Sequence, residues 1–98
     1  MELYNRAHQG GHSDGTCSLG LCYEEAIGVR KDVKMALSLY MKAAEKGNAR
    51  AMSHLARCYE QGIGVKRDPD RALELYTRSA DKGYKKSREA LERLKGGG

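Results

Sequence analysis

The sequence predicts an all-α protein, a solenoid of antiparallel helix pairs stacked as repeats. The stretch Cys22–Gly47 returns 36 positions later as Cys58–Gly83, with identical residues at 14 of the 26 aligned positions. A fixed period of this length indicates a repeat array. Apolar residues within each copy recur at spacings of three and four, which is the helical period, and no segment shows the alternation of a strand.

Composition and charge limit the class of protein. The chain of 98 residues is 40% hydrophobic and 32% charged, which is typical of a folded chain rather than a disordered one. No apolar run approaches the roughly 20 residues that span a bilayer, so we expect no membrane segment. The net charge of +5 comes entirely from residues 49–98, where twelve Lys and Arg face seven Asp and Glu. A basic half of this kind favours an acidic partner.

The three cysteines show no disulfide framework. Cys17, Cys22 and Cys58 are an odd number, and each falls within an apolar helical pattern. A free cysteine behaves as a small hydrophobic residue, so we predict three buried thiols. This favours a reducing, intracellular compartment.

The order of helices follows from caps and glycines. The first nine residues resemble the end of a helix that stops at Gly10–Gly11. A helix capped by Ser13 or Asp14 then runs to about Glu25, and Asp32 caps the next. The second copy repeats this pair. We therefore predict a truncated leading repeat at 1–11, full repeats at 12–47 and 48–83, and a capping helix with a glycine tail at 84–98. Because the chain begins within a repeat, we expect further repeats to precede it.

With helix pairs and this period, the chain resembles the Sel1-like repeat family, which is related to tetratricopeptide repeats. The matching residues of the first copy are Leu19-Gly20-x-x-Tyr23, Ile27-Gly28-Val29, Asp32, Ala36, Tyr40, Ala43-Ala44 and Gly47. The resemblance implies a right-handed α-α superhelical solenoid. It also implies a non-enzymatic scaffold or adaptor that binds other proteins.

The chain departs from the family pattern in two respects. Ala26 stands where the pattern has glycine, as Gly62 does in the second copy. If the backbone is left-handed there, alanine costs about 1 kcal/mol of stability. Ala44 and Ala51 lie about where the cysteine-rich branch of the family has its disulfide cysteines. The resemblance therefore places this chain outside that branch.

No motif predicts an enzyme, a cofactor or a metal. Gly62-Ile63-Gly64 follows a helix instead of a strand, so it indicates a turn and not a phosphate-binding loop. His8, His12, Cys17 and Cys22 do not match the spacing of a zinc site. We expect the repeating tyrosines to be packing residues with hydroxyls in water, and Tyr84, which does not repeat, to be a contact residue. The repeating ones are Tyr23, Tyr40, Tyr59 and Tyr76.

A binding surface is predicted on the first helix of each pair. Residues opposite the Leu-Tyr face of these helices should line the concave side of the solenoid, where helical repeats hold segments of partner proteins. The candidates are Asp14, Leu21, Glu24, Arg50, Ser53, Arg57, Glu60, Lys86, Glu89 and Arg93, with Cys17 at the same spacing. Their charge changes from acidic to basic along the array, which would orient an acidic peptide.

Three hypotheses for the function follow. The first is a non-enzymatic module that binds a protein or peptide segment on the concave face. The second is weak nucleic-acid binding through the basic half, against which stands the near absence of stacking aromatic residues there. The third, an enzyme, lacks a catalytic set of residues. An uncapped N-terminal repeat would also expose apolar surface that can pair with a second copy.

Overall fold

Five α-helices form the structure. The computed structural model describes the backbone of residues 2–97 and the side chains of residues 13–95. Within that range the regular structure is helical throughout, which confirms the predicted all-α solenoid. The helices are α1 (Glu2–Glu25), α2 (Val33–Glu45), α3 (Ala49–Gln61), α4 (Pro69–Asp81) and α5 (Lys85–Gly97). None of them is both long enough and apolar enough to cross a membrane.

The helices pack as two successive pairs followed by a single helix. α1 packs against α2, α3 packs against α4, and α2 and α4 in turn pack against the first helix of the next unit. α1 also touches α3, so the first helices lie side by side. The buried core between them combines small side chains, among them Ala36, Ala56 and Cys58, with the rings of Tyr40 and Tyr76. Small residues let helices approach closely, which suits a thin two-layer stack.

The predicted helix starts are confirmed for both second helices. The Asp32 carboxylate accepts a hydrogen bond from the Met35 backbone at 3.0 Å, and Asp68 accepts one from Arg71 at 3.1 Å. Pro69 opens α4, where a missing N–H has no helical partner to lose. The two loops that precede these helices have the same hydrogen bonds, so the repeats share their turns as well as their helices.

One predicted helix end is not found. The sequence predicts a stop at Gly10–Gly11, but α1 continues through both glycines as one helix of 24 residues. Glycine in a helix interior costs about 1 kcal/mol against alanine, which weakens a helix without forbidding it. The predicted apolar face of the first nine residues lies outside the described side chains.

Gly20 marks the closest approach between α1 and α2. A Cβ atom at this position would lie 2.8 Å from Cε1 of Tyr40 and 3.3 Å from the Ala36 carbonyl oxygen. The absence of a side chain at Gly20 therefore lets the two helices approach closely. It allows the Tyr40 ring to pack against α1, where the ring is fully buried.

Ala26 has the left-handed backbone that its position in the repeat predicts. Its φ is 58°, and it is the one described residue other than glycine with a positive φ. Gly62, its equivalent in the second repeat, has φ 72° and ends α3. L-residues with a Cβ are disfavoured in this region, because Cβ approaches the neighbouring carbonyl oxygen. The first repeat therefore carries a local strain that the second lacks.

We expect Ala26→Gly to stabilise the protein by about 1 kcal/mol, because glycine adopts a positive φ without strain. For a domain of this size that corresponds to a rise in melting temperature of about 4–8 °C. Thermal unfolding followed by circular dichroism measures the change.

The reciprocal variant Gly62→Ala serves as the control. A Cβ at Gly62 would meet its nearest atom at 3.5 Å, an ordinary contact, so backbone strain is the effect that remains. Its melting temperature should fall by a similar amount. An unchanged value in both variants would contradict the strain at Ala26.

Candidate partner-binding surface

The side chains of α1, α3 and α5 that face away from α2 and α4 form one continuous surface, which we call the first-helix surface. Hydrogen bonds connect neighbouring first helices across it, from α1 to α3 and from α3 to α5. All ten predicted binding residues lie on these three helices. Several of them have partners within the chain.

Glu24 is the centre of a group that joins three helices. Its Oε1 atom accepts a hydrogen bond from the Tyr40 hydroxyl at 2.6 Å and one from Nη2 of Arg57 at 2.8 Å. The carboxylate belongs to α1, the hydroxyl to α2 and the guanidinium to α3. Only 9% of the Glu24 side chain is exposed, so this charge is stabilised mainly inside the protein.

The second repeat has the same group at the next junction. Oε1 of Glu60 accepts a hydrogen bond from the Tyr76 hydroxyl at 2.9 Å, and Arg93 donates to both carboxylate oxygens, at 3.0 and 3.3 Å. We call each group a Glu–Tyr–Arg clamp: clamp 1 is Glu24, Tyr40 and Arg57, and clamp 2 is Glu60, Tyr76 and Arg93. Each clamp joins both helices of one repeat to the first helix of the next unit.

The clamps change the ionisation of their members. Burial alone would raise the pKa of Glu24, but hydrogen bonds from Arg57 and Tyr40 outweigh it, so the pKa lies below its ordinary value. The hydrogen bond from Arg93 lowers the pKa of Glu60. Burial and the hydrogen bond to Glu60 raise the pKa of Tyr76 to about 12. The carboxylates are therefore ionised and the tyrosines protonated at neutral pH, as the clamps require.

The clamps correct one expectation and qualify another. Tyr40 and Tyr76 were predicted to keep their hydroxyls in water, but both hydroxyls donate to buried or half-buried carboxylates. Their regular spacing was a signal of this role, since glutamate, tyrosine and arginine all recur with the repeat. The clamp carboxylates and guanidinium groups, predicted as partner-binding, already neutralise one another across the junctions.

The other predicted residues differ in accessibility. Leu21 packs against the core, and the Asp14 carboxylate accepts a hydrogen bond from Asn48 at 2.7 Å. Cys17 is fully buried and contributes nothing to the accessible surface, and burial raises the pKa of its thiol. Cys58 is buried as predicted, whereas Cys22 is half-buried.

Arg50, Ser53, Lys86 and Glu89 are the predicted residues with the most freedom to meet a partner. With the described residues, the guanidinium of Arg50 makes only long contacts, 3.3 Å to the Ser18 hydroxyl and 3.9 Å to Asp14. Lys86 and Glu89 are exposed, and neither forms an ion pair with a described residue. Ser53 is half-buried beside Arg50 on α3.

His54 lies beneath this surface and was not predicted as a site residue. Its ring stacks on Tyr40 with the centroids 5.2 Å apart. Burial lowers the pKa of His54 to about 4, with further lowering by the positive charges of Arg57 and Arg50. The imidazole is therefore neutral at pH 7 and packs as an aromatic ring above clamp 1.

A shallow cavity of about 200 Å³ opens on the opposite side, between α2 and α4. Its floor is apolar, from Met52, Leu55 and Leu75, and its rim carries Arg71 and Arg78. Its walls come from three helices, so no local pattern in the sequence could have indicated it.

The described residues include no group of three or more His, Cys, Asp or Glu side chains arranged to hold a metal ion. His8 and His12, which do not match the spacing of a zinc site, lie outside the described side chains. The thiol pKa of Cys58 is raised by burial to about 11, which leaves this cysteine protonated and a poor nucleophile at neutral pH.

Comparison with known families agrees with this geometry. The family model of the Sel1 repeat matches residues 13–48 and residues 49–84, which are consecutive units of the same length. The chain belongs to the Sel1 repeat family. Sel1 repeats are generally modules of protein–protein interaction, and scaffolds of this kind are generally non-enzymatic. A search of curated proteins found no match.

Two solved structures are similar to this Sel1 repeat chain. A Sel1 repeat protein from Oxalobacter formigenes superposes with a TM-score of 0.81 at 29% identity, over 84% of this chain. The protein c5321, a protective antigen of uropathogenic Escherichia coli with an SLR fold, gives a TM-score of 0.79 at 29% identity, over 95% of this chain. The chain spans 34% and 20% of the lengths of these two proteins.

We expect Tyr40→Phe to destabilise the protein by about 1.5 kcal/mol, because it leaves the buried Glu24 carboxylate without one of its donors. Tyr76→Phe should cost less, about 1 kcal/mol, because Glu60 is more exposed to water. Urea denaturation at pH 7 measures both. Tyr23→Phe is the matched control and should change little, because its hydroxyl has no hydrogen-bond partner among the described residues. Equal losses in all three variants would contradict the clamps.

His54 makes stability depend on pH in a defined window. Because its pKa falls from an ordinary 6.5 to about 4 on folding, the unfolded chain takes up the proton first. The free energy of unfolding is thus at its full value above pH 6.5 and decreases as the pH falls towards 4. The equivalent residue on α5 is Ala90, so His54→Ala is a substitution that the repeat already contains. In this variant the free energy of unfolding, measured by urea denaturation at several pH values, should decrease less between pH 6.5 and pH 4. An equally steep decrease in the variant would assign it to other groups.

Proposed function

We propose that this Sel1 repeat module binds an extended, acidic segment of a partner protein on the first-helix surface. The observation that supports it is the pair Arg50 and Lys86. They occupy equivalent positions one repeat apart, on neighbouring first helices, and neither has a close acidic partner among the described side chains. The other two cations predicted for this surface, Arg57 and Arg93, are held in the clamps.

The charges that lie outside the clamps define the polarity of this surface. The residue at this position of the repeat is acidic on α1, as Asp14, and basic on α3 and α5, as Arg50 and Lys86. An acidic segment is therefore attracted to α3 and α5 and repelled from α1. Exposed ion pairs are individually weak, so affinity would come from several of them together with the side chains between.

The spacing of the two cations favours a particular kind of segment. Packed helices lie roughly 8–10 Å apart. In the polyproline II conformation, residues three apart point the same way and are separated by roughly 9 Å. A segment with Asp or Glu at every third position would therefore place one carboxylate at Arg50 and the next at Lys86. Ser53 and Glu89 lie next to these two cations and would contact the residues of the segment between its two carboxylates.

The test is a selection of binders from a library of random linear peptides. We expect the parent chain to enrich peptides with two acidic residues three positions apart. The double variant Arg50→Glu and Lys86→Glu should bind the selected peptides at least about tenfold more weakly, a loss of about 1.4 kcal/mol. It leaves both clamps intact.

The matched control is Lys34→Glu with Lys66→Glu, which makes the same change in net charge at exposed positions outside the first helices. It should keep the affinity of the parent. Peptides that bind both double variants equally would contradict the proposed surface. If the selection yields no peptide but a random oligonucleotide binds and is removed by salt, the protein is a nucleic-acid binder instead.

A further inference from the structure

The side of α1 that faces away from the array, together with the loop after α1, exposes residues whose equivalents are covered in the second repeat. Leu19 is 45% exposed, whereas its equivalent Leu55 is 4% exposed. Ile27 is 57% exposed, whereas Ile63 packs against the core. Gly15 has open space where a Cβ would stand, although the same position in the next two units is a fully buried Ala51 and Ser87. We call the surface of Gly15, Leu19, Ile27 and Val29 the α1 end face.

The repeat itself shows which element covers such a face. On α3 the cover is α2, a second helix: Tyr40 stacks on His54, and the α3–α4 loop lies against α2, where a Cβ on Gly64 would approach Leu37 to 2.7 Å. On α5 the cover is α4, with the Ser87 hydroxyl donating to Ser79 at 2.7 Å. The α1 end face therefore fits another second helix.

The chain contains a third segment with the sequence pattern of a second helix. Leu3-Tyr4 is in register with Leu39-Tyr40 and Leu75-Tyr76, and Gly11 is in register with Gly47 and Gly83. This segment is the first part of α1, and α1 continues through Gly10–Gly11 without a turn. Joined in this way, the segment points along the axis of α1, away from the end face of its own chain.

In a pair of chains, the first segment of one copy can reach the α1 end face of the other. Two contacts join a second helix to the next first helix: Tyr40 with His54, and Ser79 with Ser87. One repeat before the first contact, the equivalent residues are Tyr4 and Ser18. Two repeats before the second contact, they are Ala7 and Gly15. Both pairs are symmetric about Gly11. Two antiparallel α1 helices related by a two-fold axis at Gly11 would therefore place the first segment of each copy on the end face of the other.

We propose that the α1 end face is the interface of a symmetric dimer, covered by residues 2–9 of a second copy. Exchange of an identical element between two copies is a low-cost route to a dimer, and the two-fold axis makes the interface self-complementary. Glycines at the axis would let the two α1 backbones approach closely. The interface lies at the end of the solenoid and leaves Arg50 and Lys86 on α3 and α5 open, so it is independent of the proposed peptide binding.

Disulfide trapping in the full chain tests the occupant. The Ser79–Ser87 contact shows that cysteines at this pair of positions would be close enough for a disulfide. We expect Ala7→Cys combined with Gly15→Cys to give a covalent dimer on a non-reducing gel after mild oxidation. Each single variant should remain monomeric on the same gel. A double variant that oxidises within one chain would overturn the proposal, because the segment would then cover its own end face.

Light scattering at several protein concentrations provides the second test. The parent should have twice the mass of one chain, and Leu19→Glu should reduce it to that of a single chain. Leu73→Glu is the matched control, since Leu73 is 43% exposed on α4, far from the end face, and this variant should remain a dimer. Circular dichroism checks that both variants keep their helices. A parent that is monomeric at every concentration would also overturn the proposal.

Discussion

The stacking of the helices depends on two glutamate carboxylates whose charges must be paired. Glu24 and Glu60 lie at junctions where little water reaches them, and an unpaired charge in such a place costs several kcal/mol. Each carboxylate has its full set of hydrogen-bond donors only when a tyrosine from its own repeat and an arginine from the first helix of the next unit contact it. Correct stacking is thus a condition for folding each unit, because the carboxylate is compensated only in the assembled array. This is how nearest-neighbour coupling arises in a solenoid.

The clamps also decide which charges can serve recognition. A count of basic residues on α3 and α5 would treat Arg50, Arg57, Lys86 and Arg93 as equal. The geometry divides them into two that hold the array together and two that face solvent with weak contacts. A variant that reverses all four would damage the scaffold and the surface together. Separating the two roles makes binding testable without loss of structure.

The sequence predicted the features that are local or periodic. The helix starts at Asp32 and Asp68 follow from caps, and the strained Ala26 follows from its alignment with glycine. The clamps escaped prediction although their residues recur with the repeat, because contacts between positions 16 and 33 residues apart depend on how the helices cross. The continuation of α1 through Gly10–Gly11 was missed for a different reason: glycines lower helix stability without fixing where a helix ends.

The two clamps differ in how far they are buried, and this difference affects local unfolding. Arg57 is 31% exposed within clamp 1, whereas Arg93 is 59% exposed within clamp 2, and α5 is covered by a helix on one side only. Regions with fewer buried contacts open first in local unfolding. Amide protons of α5 should therefore exchange with solvent before those of α3, so that local unfolding reaches the last helix before the central repeat.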